Sequence, residues 1–250
     1  MRADIFLVEK GIASSRQKAK NLIEEGLVYA DGILVTKCSR ELSDEDIEIR
    51  GEVMPYVSRG GLKLKGALDL FGIDVKGSVC LDIGASTGGF TDCLLQHGAK
   101  RVYAVDCGHG QLDSRLVNDD RVVSIEGCNA RELSYGMIGE SADVCVMDVS
   151  FISQTLIHPA ITALMSYGAV FITLIKPQFE AGRSNIGKNG IVKSEKARNE
   201  SVEKVIASAV ACGFRFIDKM ISPITGGDGN IEYIGYFKYE GSSDPKPAEG

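Results

Sequence analysis

Leu81-Asp82-Ile83-Gly84-Ala85-Ser86-Thr87-Gly88-Gly89-Phe90-Thr91 is the stretch on which the reading of this chain turns. A short apolar run closes on glycines, and a helical pattern opens at Phe90, so a strand, a tight turn and a helix start follow one another. Glycines there let a ligand approach the backbone, and the amides at the helix start offer donors. The spacing is G-x-x-x-G-G, not the G-x-G-x-x-G of a dinucleotide site. Asp82, Gly84, Ala85, Ser86, Thr87, Gly88, Gly89 and Phe90 are therefore expected to hold a nucleoside cofactor. A plain glycine-rich turn is the competing reading of this run alone. About twenty residues on, Val105-Asp106 ends the next strand, where an acid can accept both hydroxyls of an adenosine ribose. Asn129, after the third strand, could face the adenine edge.

Outward from that turn, strands are expected at Ser78–Ile83, Arg101–Asp106, Val122–Glu126, Val144–Asp148, Ala169–Ile175, Phe214–Ile221 and Ile231–Tyr239. Helices are expected at Ser58–Phe71 and near 90–97, 111–118, 154–166 and 194–212. This alternation predicts an α/β, doubly wound, largely parallel sheet of Rossmann-like type over 58–240. Residues 1–50 read as a separate small α+β module. Its helices are Ala3–Lys10 and Arg16–Glu25, the latter behind a Ser14-Ser15 cap pair and stopped by Gly26. A hairpin turns at Asp31-Gly32, and an alternating strand covers Asp46–Arg50. Residues 51–57, with Pro55, form the expected link, and 241–250 read as a disordered tail.

The chain has 250 residues, 44% of them hydrophobic and 25% charged, an ordinary balance for a globular protein. No apolar run approaches the roughly 18–20 residues that span a bilayer, and the N-terminus opens into an amphipathic pattern, so a cytoplasmic protein without a membrane partner is expected. The seven cysteines form no C-x-x-C pair and histidine occurs three times. That pattern argues against a disulfide framework and a metal site. The formal net charge of −6 counts against strong non-specific binding to nucleic acid, but one basic face suffices for phosphates.

Open α/β sheets place their sites at the carboxyl ends of strands. Asp148 ends the fourth strand of the expected sheet, Lys176 ends the fifth in Lys176-Pro177-Gln178-Phe179-Glu180, and Glu232 opens the last. Charges abutting apolar strands are costly unless paired. Structural salt bridges are the plainer reading of each one singly, but three aimed at one edge suggest a site. Lys63, with Lys65 beside it, reads as an exposed helix lysine when taken alone.

Together the motifs Tyr56–Lys65, Leu81–Thr91, Asp148–Phe151, Lys176–Glu180 and Gly229–Tyr233 resemble those of the TlyA/hemolysin A family. That family is similar in its catalytic half to the FtsJ ribose methyltransferases. The resemblance implies S-adenosyl-L-methionine as cofactor, with Asp148 among its contacts, and 2′-O-methylation of cytidine in ribosomal RNA. It also implies a catalytic set of Lys63, Asp148, Lys176 and Glu232. A ribose hydroxyl is a poor nucleophile at neutral pH, so Lys176 is expected as general base, with Asp148 and Glu232 orienting the two lysines. Some members carry a linker Trp. This chain has none, and Tyr56 lies near the equivalent place.

The first module resembles a small RNA-binding domain shared by a ribosomal protein and pseudouridine synthases. Within residues 1–50, 8 Lys/Arg face 10 Asp/Glu, a net of −2, so it is not basic overall. Arg16, Lys18 and Lys20 cluster on the second helix. With Arg2, Arg59 and Lys65 they are the expected RNA contacts, and ribosomal RNA or a ribosomal subunit is the expected partner. A monomer is expected. Three rivals remain in view: a membrane-active haemolysin, a nicotinamide-dependent oxidoreductase, and a non-catalytic RNA-binding or ribosome-assembly factor.

Overall fold

The computed structural model describes every residue except Ser14, Glu25, Glu52, Val53, Gly227, Asp228 and 242–250, together with the side chain of Lys188. The first half of the Ser14-Ser15 pair, the Glu25 helix end and nearly all of the expected tail thus lie outside the described residues. Contacts divide the chain into two compact units, Met1–Pro55 and Tyr56–Gly250.

In the first unit α1 (Ala3–Glu9) and α2 (Arg16–Glu24) pack on a three-stranded antiparallel sheet of β1 (Val28–Ala30), β2 (Ile33–Leu34) and β3 (Ile47–Ile49), in the order β2-β1-β3. Ser15 Oγ accepts the Lys18 amide at 3.2 Å, satisfying one of the free donors at the start of α2. Asp31 and Gly32 have φ of 50° and 75°. Both are left-handed, as the two-residue hairpin turn that matches strand twist requires. Phe6, Leu7, Leu22, Ile23, Val28, Val35 and Leu42 form the core.

The second unit opens with α3 (Gly60–Phe71). It continues through β4 (Val79–Ile83), α4 (Gly89–Gln96), β5 (Arg101–Val105), α5 (Ser114–Val117), β6 (Val122–Ile125), α6 (Tyr135–Ile138) and β7 (Ala142–Met147). Then come α7 (His158–Thr162), β8 (Met165–Ile175), α8 (Pro177–Glu180), α9 (Glu195–Ala211), β9 (Phe214–Ile221) and β10 (Tyr233–Tyr239). Seven strands lie in the order β6-β5-β4-β7-β8-β10-β9. The first five run parallel, whereas β10 pairs antiparallel with both β8 and β9. All five residues of β4 are buried, which is why this central strand is apolar except at Asp82.

From β4 the chain winds outward through β5 and β6, then returns to β7 and β8 on the other side of β4. The reversal between β4 and β7 opens a crevice at their carboxyl ends, where sheets of this kind take ligands. Beyond it, Phe171, Phe214 and Phe237 pack ring against ring, with centroids 4.9 Å and 5.6 Å from Phe171.

Two expectations need correction. The helix over 154–166 is a 3₁₀ turn at Gln154–Leu156 followed by the short α7, and β8 already begins at Met165. Pro159 explains the break, because proline fits the first turn of a helix and not its interior. The last strand starts at Tyr233, so Glu232 sits in the loop before it. Among the described residues no helix is long and apolar enough to cross a membrane, and no group of three or more His, Cys, Asp or Glu could hold a metal ion.

Candidate functional site

The glycine run forms the floor of the crevice. Gly84 leaves β4 with φ of 83°, and a Cβ there would collide with the carbonyl oxygen of Asp148. Asp148 in turn donates its amide to Ile83 O at 2.9 Å, so the two strand ends are locked side by side. Gly88, with φ of 95°, turns the chain into α4. The Asp106 carboxylate accepts Ser86 N at 2.8 Å and Gly108 N at 2.7 Å, holding the glycine loop against the end of β5.

Asp82 takes a different place from the one expected. It is fully buried and accepts Thr91 Oγ1 at 2.6 Å, with Oδ1 lacking a hydrogen-bond partner among the described residues. Burial pushes its carboxyl up to about 7. Asp82 braces the loop from beneath. Asn129 caps the 3₁₀ turn Ala130–Glu132, accepting Arg131 N at 3.2 Å and donating to Glu132 Oε1 at 3.0 Å. An asparagine after a strand suits a helix cap as readily as a base edge, so sequence position does not separate the two roles.

A cavity of about 570 Å³ opens above this floor, within the range of about 300–1,000 Å³ typical of small-molecule sites. Gly84, Ala85, Ser86, Thr87, Gly89 and Phe90 line it, together with Lys63, Asp148, Lys176 and Arg59. Asp82, Gly88, Asp106 and Asn129 are not among the lining residues. Ser58, Gly60, Ser150, Ile224 and Thr225 are, and none was expected to be. Ser58 and Ser150 lie within motifs that were legible, but a serine beside a charged residue carries no distinctive signal.

Lys63 comes from α3, only 9% exposed, and its Nζ lies 2.5 Å from Glu232 Oε2, itself on a residue 3% exposed. Lys176 Nζ lies 2.5 Å from Asp148 Oδ1 and donates to Ser150 Oγ at 2.9 Å. The four residues thus meet as two ion pairs, each lysine with its own acid. Three of the four line the cavity, and Glu232 reaches it through Lys63. The sequence grouped the two lysines with two orienting acids but left open which acid belongs to which lysine. Next to Ser150, Phe151 is 92% exposed with φ of 64°, and its ring lies 5.1 Å from that of Phe179.

Of the expected RNA contacts, Arg59 lies at the cavity and its Nη2 reaches Thr225 O at 3.4 Å. Lys65 pairs with Asp69 one turn along α3. In the first unit Arg2 and Arg16 converge on Asp4, at 2.9 Å and 2.8 Å. Lys20 lies 3.6 Å from Glu24. The expected cluster on α2 divides, because about 100° per residue puts Arg16 and Lys20 on one side of the buried stripe of Ala19, Leu22 and Ile23, and Lys18 on the other. Tyr56, near the linker, is 7% exposed and packs over Gly61 in the core of the second unit, where burial raises its hydroxyl above the usual tyrosine range.

Residues 56–239 match the FtsJ-like methyltransferase family, and residues 1–47 match the S4 domain. The chain is 47% identical over 239 residues to Hemolysin A of Brachyspira hyodysenteriae, covering 95% of this chain and 99% of that protein. It is 43% identical over 235 residues to the 16S/23S rRNA (cytidine-2'-O)-methyltransferase TlyA of Mycobacterium tuberculosis, covering 93% and 88% of the two. A solved structure from Streptococcus thermophilus shares 41% identity and superposes with a TM-score of 0.77, covering 99% of this chain and 90% of the other. With a glycine-floored cavity at the sheet's reversal and relatives matched along nearly its whole length, the chain belongs to the FtsJ-like methyltransferase family and carries an S4 domain ahead of the methyltransferase fold.

Proposed function

We propose that this protein transfers a methyl group from S-adenosyl-L-methionine to the 2′-hydroxyl of a cytidine in ribosomal RNA. The observation that carries this reading is the pair of contacts Lys63–Glu232, buried, and Lys176–Asp148, half-buried, whose two lysines share a cavity with the glycine loop.

The residues present fit the methyl donor. Each Asp106 oxygen uses one acceptor site on a backbone amide and keeps a second for a ribose hydroxyl. The amides at the start of α4 and the side-chain-free surfaces of Gly84 and Gly89 admit a ligand close to the backbone. When bound, the cofactor supplies a methyl group activated by a sulfonium. Asp148 and Ser150 fix Lys176 Nζ, which in its neutral form takes the proton from the 2′-oxygen as the new bond forms. Lys63, anchored by Glu232, presents a second nitrogen that orients the same oxygen. A positioned base of this kind contributes about 10²–10⁴-fold, and alignment of the reacting atoms supplies more. Phe151, solvent-facing and backed by Phe179, offers a flat apolar surface on which an unstacked base can rest. Arg2 and Arg16 supply cations for phosphates. The work is placed in the cytoplasm, where ribosomal RNA is found.

The test is methyl transfer from labelled S-adenosyl-L-methionine to ribosomal RNA and subunits from cells lacking this protein, with primer-extension mapping of methylated ribose. One or a few cytidine riboses should take the label. Transfer to a base, or no transfer to naked RNA or either subunit, would overturn the reading.

A further inference from the structure

We infer that Glu180 is a positioning residue for this site, its buried carboxylate tying the segment that carries Asp148 and Ser150 to the segment that carries Lys176. The inference rests on the methyl-transfer reading above and adds to it the device that holds the Lys176–Asp148 pair in register.

The need for such a device follows from the fold. Neighbouring parallel strands β7 and β8, with Met147 opposite Thr173, fix the chain only up to their ends. Asp148 and Lys176 lie just beyond, where the ladder between β7 and β8 does not continue. After Asp148 the chain takes no regular structure until the 3₁₀ turn at Gln154, and on the way Phe151 adopts a left-handed backbone at φ of 64°. A non-glycine residue holds such a conformation only where its surroundings over-determine it.

Glu180 supplies that determination. It closes α8, the turn that begins at Pro177 directly after Lys176. Its side chain is 2% exposed. Oε1 accepts Gln154 N at 2.8 Å, and Oε2 accepts Ser153 Oγ at 2.5 Å and Lys204 Nζ at 3.2 Å. Gln154 is then stitched to β8 as well, donating to Leu174 O at 3.3 Å and accepting the Thr173 hydroxyl. The result is a closed ring of contacts. Lys176–Asp148 joins the two segments at the cavity, Glu180 joins them at the back, and the Phe151–Phe179 contact spans the gap between. Glu180 does not line the cavity, so it acts on the reaction only through the residues it holds.

The test compares wild type with Glu180→Gln, Ser153→Ala and a control, Glu203→Gln, which alters an exposed acid on α9 paired with Lys219. Glu180→Gln replaces an acceptor oxygen with an amide that cannot serve all three donors. It should lower kcat by about 100-fold, the scale of a misplacement of about 1 Å. Affinity for S-adenosyl-L-methionine by calorimetry should stay within about twofold, because the glycine loop is untouched. The Gln154 amide should exchange with deuterium faster in Glu180→Gln and not in the control. Should Glu180→Gln fail to fold, Ser153→Ala removes one of the three bonds to Glu180, along with a contact to Thr155, and should cost about tenfold in kcat. A kcat within about threefold of wild type in Glu180→Gln, or in Ser153→Ala where that variant stands in, overturns the inference. So does a fall in kcat matched by equal losses of cofactor affinity and melting midpoint. If wild type itself transfers no methyl, the parent reading fails, and unchanged exchange at Gln154 would then sink the positioning role separately.

Discussion

The catalytic edge of the methyltransferase sheet and the S4 unit hold their charges in different ways. At the sheet's edge Lys63 meets Glu232 across 169 residues of sequence, with side chains 11% and 3% exposed. In the S4 unit Arg2 and Lys20 pair with near neighbours, Asp4 and Glu24, Arg16 reaches Asp4 across 12 residues, and all three cations stay about half exposed. Buried pairs lose the hydration of both ions, so they persist only where geometry is good and both partners stay in place. Exposed pairs contribute little to stability but leave most guanidinium and ammonium donors facing water, free for a phosphate. At the cavity Lys63 and Lys176 are locked for chemistry, whereas the S4 unit keeps its cations available for contact.

The largest effect that would break this contrast is catalytic. Lys176→Ala should abolish methyl transfer while leaving S-adenosyl-L-methionine affinity nearly intact by calorimetry. Retention of more than about a tenth of wild-type turnover would remove Lys176 from the role of base. Next comes stability. Glu232→Ala leaves Lys63 buried without its partner and should cost about 3–5 kcal/mol in denaturant unfolding, whereas Glu24→Ala should cost under about 1 kcal/mol. Equal losses from the two variants would erase the distinction.

A pH titration sharpens the S4 side. Hydrogen bonds from Arg2 and then Arg16 pull the Asp4 carboxyl from 3.8 down to about 2. Because the folded value is the lower one, this stabilisation is complete above about pH 4 and is lost as pH falls through about 2. The melting midpoint of the S4 unit should drop over that window, and Asp4→Asn should flatten the drop; an unchanged profile in the variant would refute the assignment. The smallest effects concern RNA. Arg16→Ala should reduce the slope of log affinity against log salt by about 1, while Lys65→Ala, paired along α3 with Asp69, should change stability by under about 0.5 kcal/mol. A larger change for Lys65 in RNA affinity than for Arg16 would reverse their ranking.

Some of the site could be read residue by residue. The helix expected near 194–212 is α9, capped where Ser194 Oγ accepts Ala197 N at 3.3 Å. Gly84, Ala85, Ser86, Thr87, Gly89 and Phe90, which line the cavity, were legible because glycines, a strand end and a helix start are all local signals. Lys63 was legible only through family resemblance, since a lysine in Leu62-Lys63-Leu64-Lys65 has the pattern of a surface residue. Glu180 was visible as part of a motif but without a role, because its partners Ser153, Gln154 and Lys204 come from two other parts of the chain.

Taken by itself, the amino-acid order determined the strand and helix alternation, the Asp31-Gly32 turn, the glycine-rich floor and the kinds of side chain at the strand ends. Each depends on periods of two or 3.6 residues, or on backbone angles that few residues adopt. Tertiary structure alone decided that β10 inserts between β8 and β9, that Lys63 belongs to Glu232 and Lys176 to Asp148, and that Asp82 supports the floor from below. Those outcomes depend on strand order and on which groups lose water together, and neither is written in the spacing of neighbouring residues.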